Sequence, residues 1–390
     1  MKKLAILTTH PIQYYAPVFR LLAERGEIEA KVFYSWGEHS MKKYDPGFGQ
    51  VIEWDIPLLE GYDYEFLENS SKNPGTHHFR GIVNPNLKQR IEAWKPDAVL
   101  VFGWNFHSHL QAMRHFHGRL PVLFRGDSTL LDEQPGWQKV ARRLALTWVY
   151  RHVDIALYVG TENKRYFLSH GLKERQLVFA PHAIDNERFA DGEKACYGKQ
   201  ALKRRRELGF ADDDIVFLFA GKLEFKKGID LLLDAFLQLN LPDTGLLLAG
   251  NGHMESSLKR MAAVNDRVRF LPFQNQSQMP VVYRMGDVFC LPSRGPGETW
   301  GLAINEAMAC GSPILVSNRC GCAADLVKNG VNGYVFQSGN PGDLAEKIRI
   351  LYTSGPEKWK QFGLKSGEMI KAWSIGRLAG SVTAVVKSSC

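Results

Sequence analysis

Two glutamates eight residues apart, Glu298 and Glu306, stand in the segment Gly295-Pro296-Gly297-Glu298-Thr299-Trp300-Gly301-Leu302-Ala303-Ile304-Asn305-Glu306-Ala307-Met308-Ala309-Cys310-Gly311-Ser312-Pro313. The Gly/Pro loop leads into a helix that starts near Gly301 and stops at Gly311-Ser312-Pro313. Amides around Thr299 to Leu302 then lack an intrahelical acceptor, and with the positive end of the helix they form an anion site made of backbone. A carboxylate accepts two hydrogen bonds from vicinal hydroxyls, so one glutamate before the helix start and one in its second turn can grip two different sugars flanking a diphosphate. Two plainer readings stay open: Glu298 as a loop carboxylate near a helix start, and Glu306 as a buried salt-bridge partner. Among Ala303, Ile304, Ala307 and Met308, Glu306 is an unusual core residue that needs a partner.

A second segment, Gly221-Lys222-Leu223-Glu224-Phe225-Lys226-Lys227-Gly228, follows a strand-like run. Gly221 permits a tight turn at the strand end, and Lys222 and Lys227 would project ammonium groups that neutralise a diphosphate. The same residues also fit a solvated basic turn.

The elements that must position these groups are short apolar runs alternating with amphipathic stretches, the pattern of a parallel sheet covered on both faces. Strands are expected at 4–8, 30–34, 98–102, 121–124, 154–159 and 177–180, then at 215–220, 245–249, 268–271, 288–291, 313–317 and 334–336. Helices are expected near 16–25, 85–94, 106–116, 137–152, 161–170, 229–239, 254–263, 302–310, 322–328, 342–353 and 356–372. A polar, helix-prone stretch, 190–212, carries no strand, so the pattern reads as two doubly wound domains, 1–190 and 191–372, followed by a C-terminal helix, 373–390, that packs back on domain one. Ligands of such sheets bind beyond the carboxyl ends of the strands, at a cleft where two such domains face each other.

The Glu298/Glu306 motif, together with Gly221-Lys222-Leu223 and Lys227-Gly228, resembles the donor site of retaining GT-B glycosyltransferases of family 4. The resemblance extends through Pro181-His182-Ala183-Ile184-Asp185, Leu248-Ala249-Gly250-Asn251-Gly252 and Asn329-Gly330-Val331-Asn332-Gly333-Tyr334. It covers all of domain two and, loosely, domain one. It implies an α/β GT-B fold of two Rossmann-like domains facing a central cleft, and a retaining transfer of a hexose from a nucleotide sugar to a hydroxyl acceptor in glycan or polysaccharide biosynthesis. By the same resemblance Lys222 and Lys227 hold the diphosphate, Glu306 the ribose hydroxyls, and Glu298 with the amides of Trp300, Gly301 and Leu302 the transferred sugar. Gly221 lies in that site, and Phe273 borders the base. The family usually has arginine where Lys222 stands; lysine keeps the charge and loses the bidentate fork.

Domain one is left with the acceptor. His10 and Gln13 follow its first strand, and Asp127 follows the strand at 121–124; a role for Asp127 in capping a helix with Ser128 is the alternative. Asp212-Asp213-Asp214 has the Asp-x-Asp spacing of metal-dependent transferases but precedes a strand, which fits a solvated turn. The crowded His107, His109, His115 and His117 point in different directions on a helix, and no metal or other cofactor is expected. Lys203-Arg204-Arg205-Arg206 reads as a solvated helix face. Lys139, Arg142, Arg143, Trp148 and Arg151 on the 137–152 helix suit transient contact with an anionic membrane bearing a lipid-linked acceptor, against the alternative that Trp148 packs inward.

The 390 residues, 45% hydrophobic and 23% charged, exclude disorder and a single small module. No run of roughly 18 apolar residues suggests a membrane span. Six cysteines are too sparse for a disulfide scaffold and fit a reducing cytoplasm, at the inner face of the membrane where the acceptor is lipid-linked. The net charge of +8 suits anionic small molecules or an anionic surface. Three rival readings fit parts of the pattern less well. A dinucleotide-dependent oxidoreductase lacks its G-x-G-x-x-G after the first strand. A sugar-nucleotide epimerase of similar architecture would leave the nucleotide on the sugar. A nucleic-acid-binding protein is suggested by charge alone and has no motif, so no nucleic-acid partner is expected.

Overall fold

The computed structural model describes residues 1–41, 43–45 and 47–388. Its contacts divide the chain into two compact units, Met1–Lys43 with Ile56–Ala183 and Ser374–Cys390, and Tyr44–Asp55 with Ile184–Trp373. Against the expected boundary at 190, the second unit already starts at Ile184, and it takes in residues 44–55, which the expected partition gives to the first domain. Cys390 and the end of the expected 373–390 helix lie outside the described residues.

The strands in chain order are β1 (Lys3–Thr8), β2 (Glu29–Tyr34), β3 (Lys43–Asp45), β4 (Gln50–Ile52), β5 (Asp63–Phe66), β6 (Ala98–Phe102), β7 (Val122–Arg125), β8 (Ile155–Tyr158) and β9 (Leu177–Phe179), then β10 (Ile215–Ala220), β11 (Thr244–Ala249), β12 (Val268–Leu271), β13 (Val288–Leu291), β14 (Ile314–Ser317) and β15 (Gly333–Phe336). In unit one they form a sheet in the order β5-β2-β1-β6-β7-β8-β9, in unit two β12-β11-β10-β13-β14-β15, and β3 pairs with β4. Neighbours in both large sheets run parallel, with Ile6 beside Val32 and Leu100, and Phe219 beside Leu248. Both faces of each sheet are covered, which is why these strands read as continuous apolar runs. β5, sequence Asp-Tyr-Glu-Phe, escaped the pattern because it is a half-solvated edge strand.

The helix Ile375–Ser388 belongs to unit one, where Leu378, Ala379, Val382, Val385 and Val386 enter a core with Leu4, Ile6, Val18, Phe19 and Leu22. The expected helices 342–353 and 356–372 are the two parts of one run, Pro341–Ile370, broken at Gly355 with φ +73° ahead of Pro356. The basic run on the helix Tyr197–Glu207 is solvated only in part. Arg205 is buried and donates to Asp287 Oδ1 at 3.1 Å and to the Asp214 carbonyl at 2.6 Å, and Arg204 reaches Gln274 and Gln278. Arg206 pairs with Asp212 at the surface. No helix among the described residues is long and apolar enough to cross a membrane.

Candidate donor site

In unit two, Gly221 and Lys222 follow the carboxyl end of β10, and a single 3-10 turn, Phe225–Lys227, leads through Gly228 into the helix Ile229–Leu239. Three ties hold this turn against the loop that follows β13. The Lys226 carbonyl accepts from the Arg294 amide at 2.8 Å and from Ser293 Oγ at 3.0 Å, and Arg294 grips Asp230 with two bonds of 2.6 and 2.9 Å. Gly228 has φ +68°, and a Cβ there would lie 2.1 Å from the Pro292 carbonyl oxygen, so only glycine permits this approach.

The turn aims Lys227 at Glu298, Nζ to Oε2 at 2.5 Å, and Ser293 Oγ donates to the same oxygen at 3.2 Å. Burial alone would pull the Lys227 ammonium down, but the charge and hydrogen bond of Glu298 outweigh it and hold the ammonium above its ordinary range. The backbone around Glu298 is fixed from behind, since the Gly321 amide donates to its carbonyl at 3.1 Å and the Cys322 amide to that of Trp300 at 3.0 Å. Cys320 and Cys322 are therefore buried packing beneath this loop, and burial raises both thiols. Among the described residues no group of three or more His, Cys, Asp or Glu is placed to hold a metal ion.

Gly301, at φ +99°, lets the chain turn into the helix Leu302–Ala309. The Trp300 ring is buried and its Nε1 donates to Asn305 Oδ1 at 2.8 Å, which pins the loop to the helix; what Trp300 can offer a ligand is backbone. Glu306, 3% exposed, accepts from the Tyr283 hydroxyl at 2.6 Å. A buried tyrosine is thus one partner of Glu306 in the core. Phe273 is half-buried after β12, its amide fixed by Asn251 Oδ1 at 2.5 Å.

Lys222 is paired as well. Its ammonium donates to Asp45 at 2.7 and 3.0 Å and stands 5.0 Å from the centre of the Phe48 ring, which meets Phe273 edge-on at 4.8 Å. Burial acts to raise the Asp45 carboxyl, but Lys222 and the amides of Gly47 and Phe48 hold it below its usual range. Asp45, Phe48, Ser293 and Tyr283 are absent from the sequence reading. The first two sit far away in the chain, in a stretch without motif, and the last two look like ordinary strand and helix residues.

The residues expected to hold an acceptor lie in unit one. His10 follows β1, bonds Thr9 Oγ1 at 2.8 Å and meets Trp36 edge-on at 5.3 Å. Gln13 is half-buried in the turn before the helix Ala16–Arg25. Asp127 starts a loop and caps no helix, since the next one begins at Trp137 with Gly136 as its cap. Asp127 lies instead 3.9 Å from His182 Nε2. The His182 ring stacks on Tyr15 at 6.0 Å, and buried Arg125 sits over Tyr15 while donating to the carbonyls of Ala180 and Pro181. Burial, reinforced by Arg125, pushes His182 well down, so its ring is neutral near pH 7.

Residues 201–366 match the family described as glycosyl transferases group 1. The matched segment lies within unit two. It contains Lys222, Lys227, Glu298 and Glu306. A D-inositol 3-phosphate glycosyltransferase of Geodermatophilus obscurus is 31% identical over 226 residues, which are 54% of this chain and 48% of that protein. A GDP-mannose-dependent monoacylated alpha-(1-6)-phosphatidylinositol monomannoside mannosyltransferase of Corynebacterium glutamicum is 26% identical over 65% of this chain and 67% of its own. The chain thus spans about half the length of the first of these relatives. The Anabaena protein Alr3699/HepE, solved with UDP and glucose, superposes with a TM-score of 0.72 over 100% of both chains at 19% identity. At that identity the likeness is one of fold, and the two parallel-sheet units are those of the GT-B class.

Proposed function

We propose that the protein transfers a hexose from a nucleoside diphosphate sugar to a hydroxyl acceptor, with retention at the anomeric carbon and without a divalent metal. One observation carries this reading: in the segment that matches group 1 glycosyltransferases, Lys227 and Glu298 meet in a half-buried pair just ahead of the Leu302–Ala309 helix. A sugar diphosphate needs a cation and backbone amides for its phosphates and a carboxylate for its hydroxyls, and here the three lie together. Lys222, Lys227 and the helix start offset the charge of the departing diphosphate. Glu298 accepts from the hydroxyls of the transferred sugar and Glu306 from those of the ribose. Gly221 lets the backbone approach the phosphates, and Phe273 walls the base. Unit one is assigned the acceptor through His10, Gln13 and Asp127. Sugar transfer in the names of the relatives, and UDP with glucose in the Anabaena structure, support a nucleotide-sugar donor.

The test is product analysis with UDP-, GDP- and ADP-hexoses. Sugar transfer with release of the nucleoside diphosphate, persisting in excess chelator, is expected. Loss of activity in chelator and its return on adding metal would overturn the metal-free donor site, and a product that keeps its nucleotide would select an epimerase. In Glu298→Gln, turnover should fall about 100-fold while nucleoside diphosphate affinity moves little. An equal loss of both would remove Glu298 from the sugar.

The reading extends to where the acceptor lies. The helix Trp137–Tyr150 exposes Trp137 at 77%, Val140 at 60%, Leu144 at 69% and Trp148 at 40%, a spacing that gathers them on one face. Its buried residues are Leu146, Val149 and Tyr150. Residues 137–151 contain Lys139, Arg142, Arg143 and Arg151 and no acid. An apolar stripe on a wholly basic helix suits an anionic lipid surface, which would place the reaction at the cytoplasmic face of a membrane.

A further inference from the structure

Residues 44–55 are separated by more than 160 positions from the loops they cover, yet they pack as part of unit two. β3 pairs with β4, and the Asp45 carboxylate holds the chain between them, Oδ1 accepting from the amides of Gly47 at 2.9 Å and Phe48 at 3.3 Å. The far end is anchored on the loop after β12: Asn275 Nδ2 donates to the Glu53 carbonyl at 2.8 Å, and the Ser277 amide and hydroxyl donate to Asp55 at 3.0 and 2.5 Å. Trp54 lies 6.4 Å from the Phe273 ring.

Two of these contacts imitate a ligand. The Asp45 carboxylate lies on Lys222 with two short bonds, as a phosphate oxygen pair would, and the Phe48 ring meets edge-on the Phe273 ring that the proposed function gives to the base. An anion and an aromatic ring three residues apart therefore hold the groups that the proposed function gives to the diphosphate and the base. A donor and Asp45 compete for Lys222, because the carboxylate takes two of the three ammonium hydrogens and repels a second anion beside it.

We infer that residues 44–55 form a strap that competes with the nucleotide for its own site, Asp45 standing in for phosphate and Phe48 for the base, so that donor binding requires the strap to leave. The inference rests on the donor-site reading above. It assigns Asp45 and Phe48 a role opposite in sign to that of a binding residue: each lowers donor affinity by stabilising the empty site.

The experiment is calorimetry with UDP, GDP and ADP on the full chain, using whichever binds tightest. Asp45→Asn keeps the Oδ1 acceptor that sets the turn and removes the charge. It should tighten binding about two- to fivefold, the range expected when a partly exposed ion pair no longer has to be broken. Phe48→Ala should tighten binding too, by vacating the Phe273 face. Unchanged or weaker binding in Asp45→Asn would overturn the strap, and so would tightening in Asp45→Asn with none in Phe48→Ala, which would reduce the effect to long-range charge. Lys222→Ala separates the two levels of the argument. If it loses affinity, the donor reading stands and the strap is judged on its own variants; if it binds as the wild type does, the donor role of Lys222 falls and the strap falls with it.

Discussion

Glu306 illustrates how a single side chain can serve stability and binding together. It is 3% exposed and accepts a hydrogen bond from the hydroxyl of buried Tyr283. Glu306→Ala should therefore cost about 1–3 kcal/mol in chemical denaturation, because a buried hydroxyl loses its acceptor, and Tyr283→Phe, which takes this donor from a buried carboxylate, should cost at least as much. The same Glu306→Ala protein, kept folded, should bind nucleoside diphosphates at least about tenfold more weakly, since charge-assisted bonds to ribose are worth about 1.5–3 kcal/mol; unchanged affinity would take Glu306 off the ribose. His109 gives a second, pH-dependent test. It is fully buried, its Nδ1 hydrogen facing the Phe102 carbonyl at 2.9 Å and its Nε2 accepting from Ser35 at 2.8 Å, and burial pushes its pKa down to about 4. An unfolded histidine titrates near ~6.5, so between these values the unfolded chain binds a proton that the folded one refuses. Stability is then full above about pH 6.5 and falls as pH drops toward 4, by an amount on the order of 3 kcal/mol. Denaturation midpoints across that range should show this loss, and His109→Asn should reduce it by the His109 share while that of His182, also pushed down by burial, stays.

At the scale of elements, the catalytic candidates rest on short connections that follow strands, and the strands themselves are buried on both faces. The terminal helix Ile375–Ser388 has a different task. Its Leu378 is 2% exposed in the core shared by Leu4, Ile6 and Phe19, so Leu378→Ala should destabilise by about 2–5 kcal/mol. Denaturant titration would show it, and a change under about 0.5 kcal/mol, the range of a surface substitution, would mean that the helix is dispensable to unit one. Strands such as β10 and β13 and the helix 302–309 were legible because their apolar period is strong and their ends carry glycine or proline. β3, β4 and β5 were not, because edge strands and hairpins of mixed polarity lack a continuous apolar run.

For the whole molecule, the basic helix 137–150 yields a test independent of turnover. Flotation with vesicles containing anionic phospholipid should carry the protein at low salt, vesicles of zwitterionic lipid alone should not, and Trp137→Ser with Leu144→Ser should lower the bound fraction several-fold. Absence of binding to anionic vesicles at low salt would overturn the membrane reading. Here again the sequence reached only part of the way. It offered Trp148 and the basic residues, but that Trp137, Val140 and Leu144 stand out in solvent depends on which face Leu146, Val149 and Tyr150 turn to the core.

The sequence by itself determined the α/β class, the parallel order of elements and the loops after β10 and β13, because apolar period, glycine position and the Glu298/Glu306 spacing are local properties of the chain. Tertiary structure alone decided who partners whom. Lys227 with Glu298, Tyr283 with Glu306, Arg205 with Asp287 and Lys222 with Asp45 join residues 71, 23, 82 and 177 positions apart. No periodicity records such pairings, since they are fixed by how the helices, loops and strands that carry these residues pack together. The placement of residues 44–55 in the second unit has the same origin: a polar stretch without a strong pattern goes where its few aromatic and charged side chains find partners.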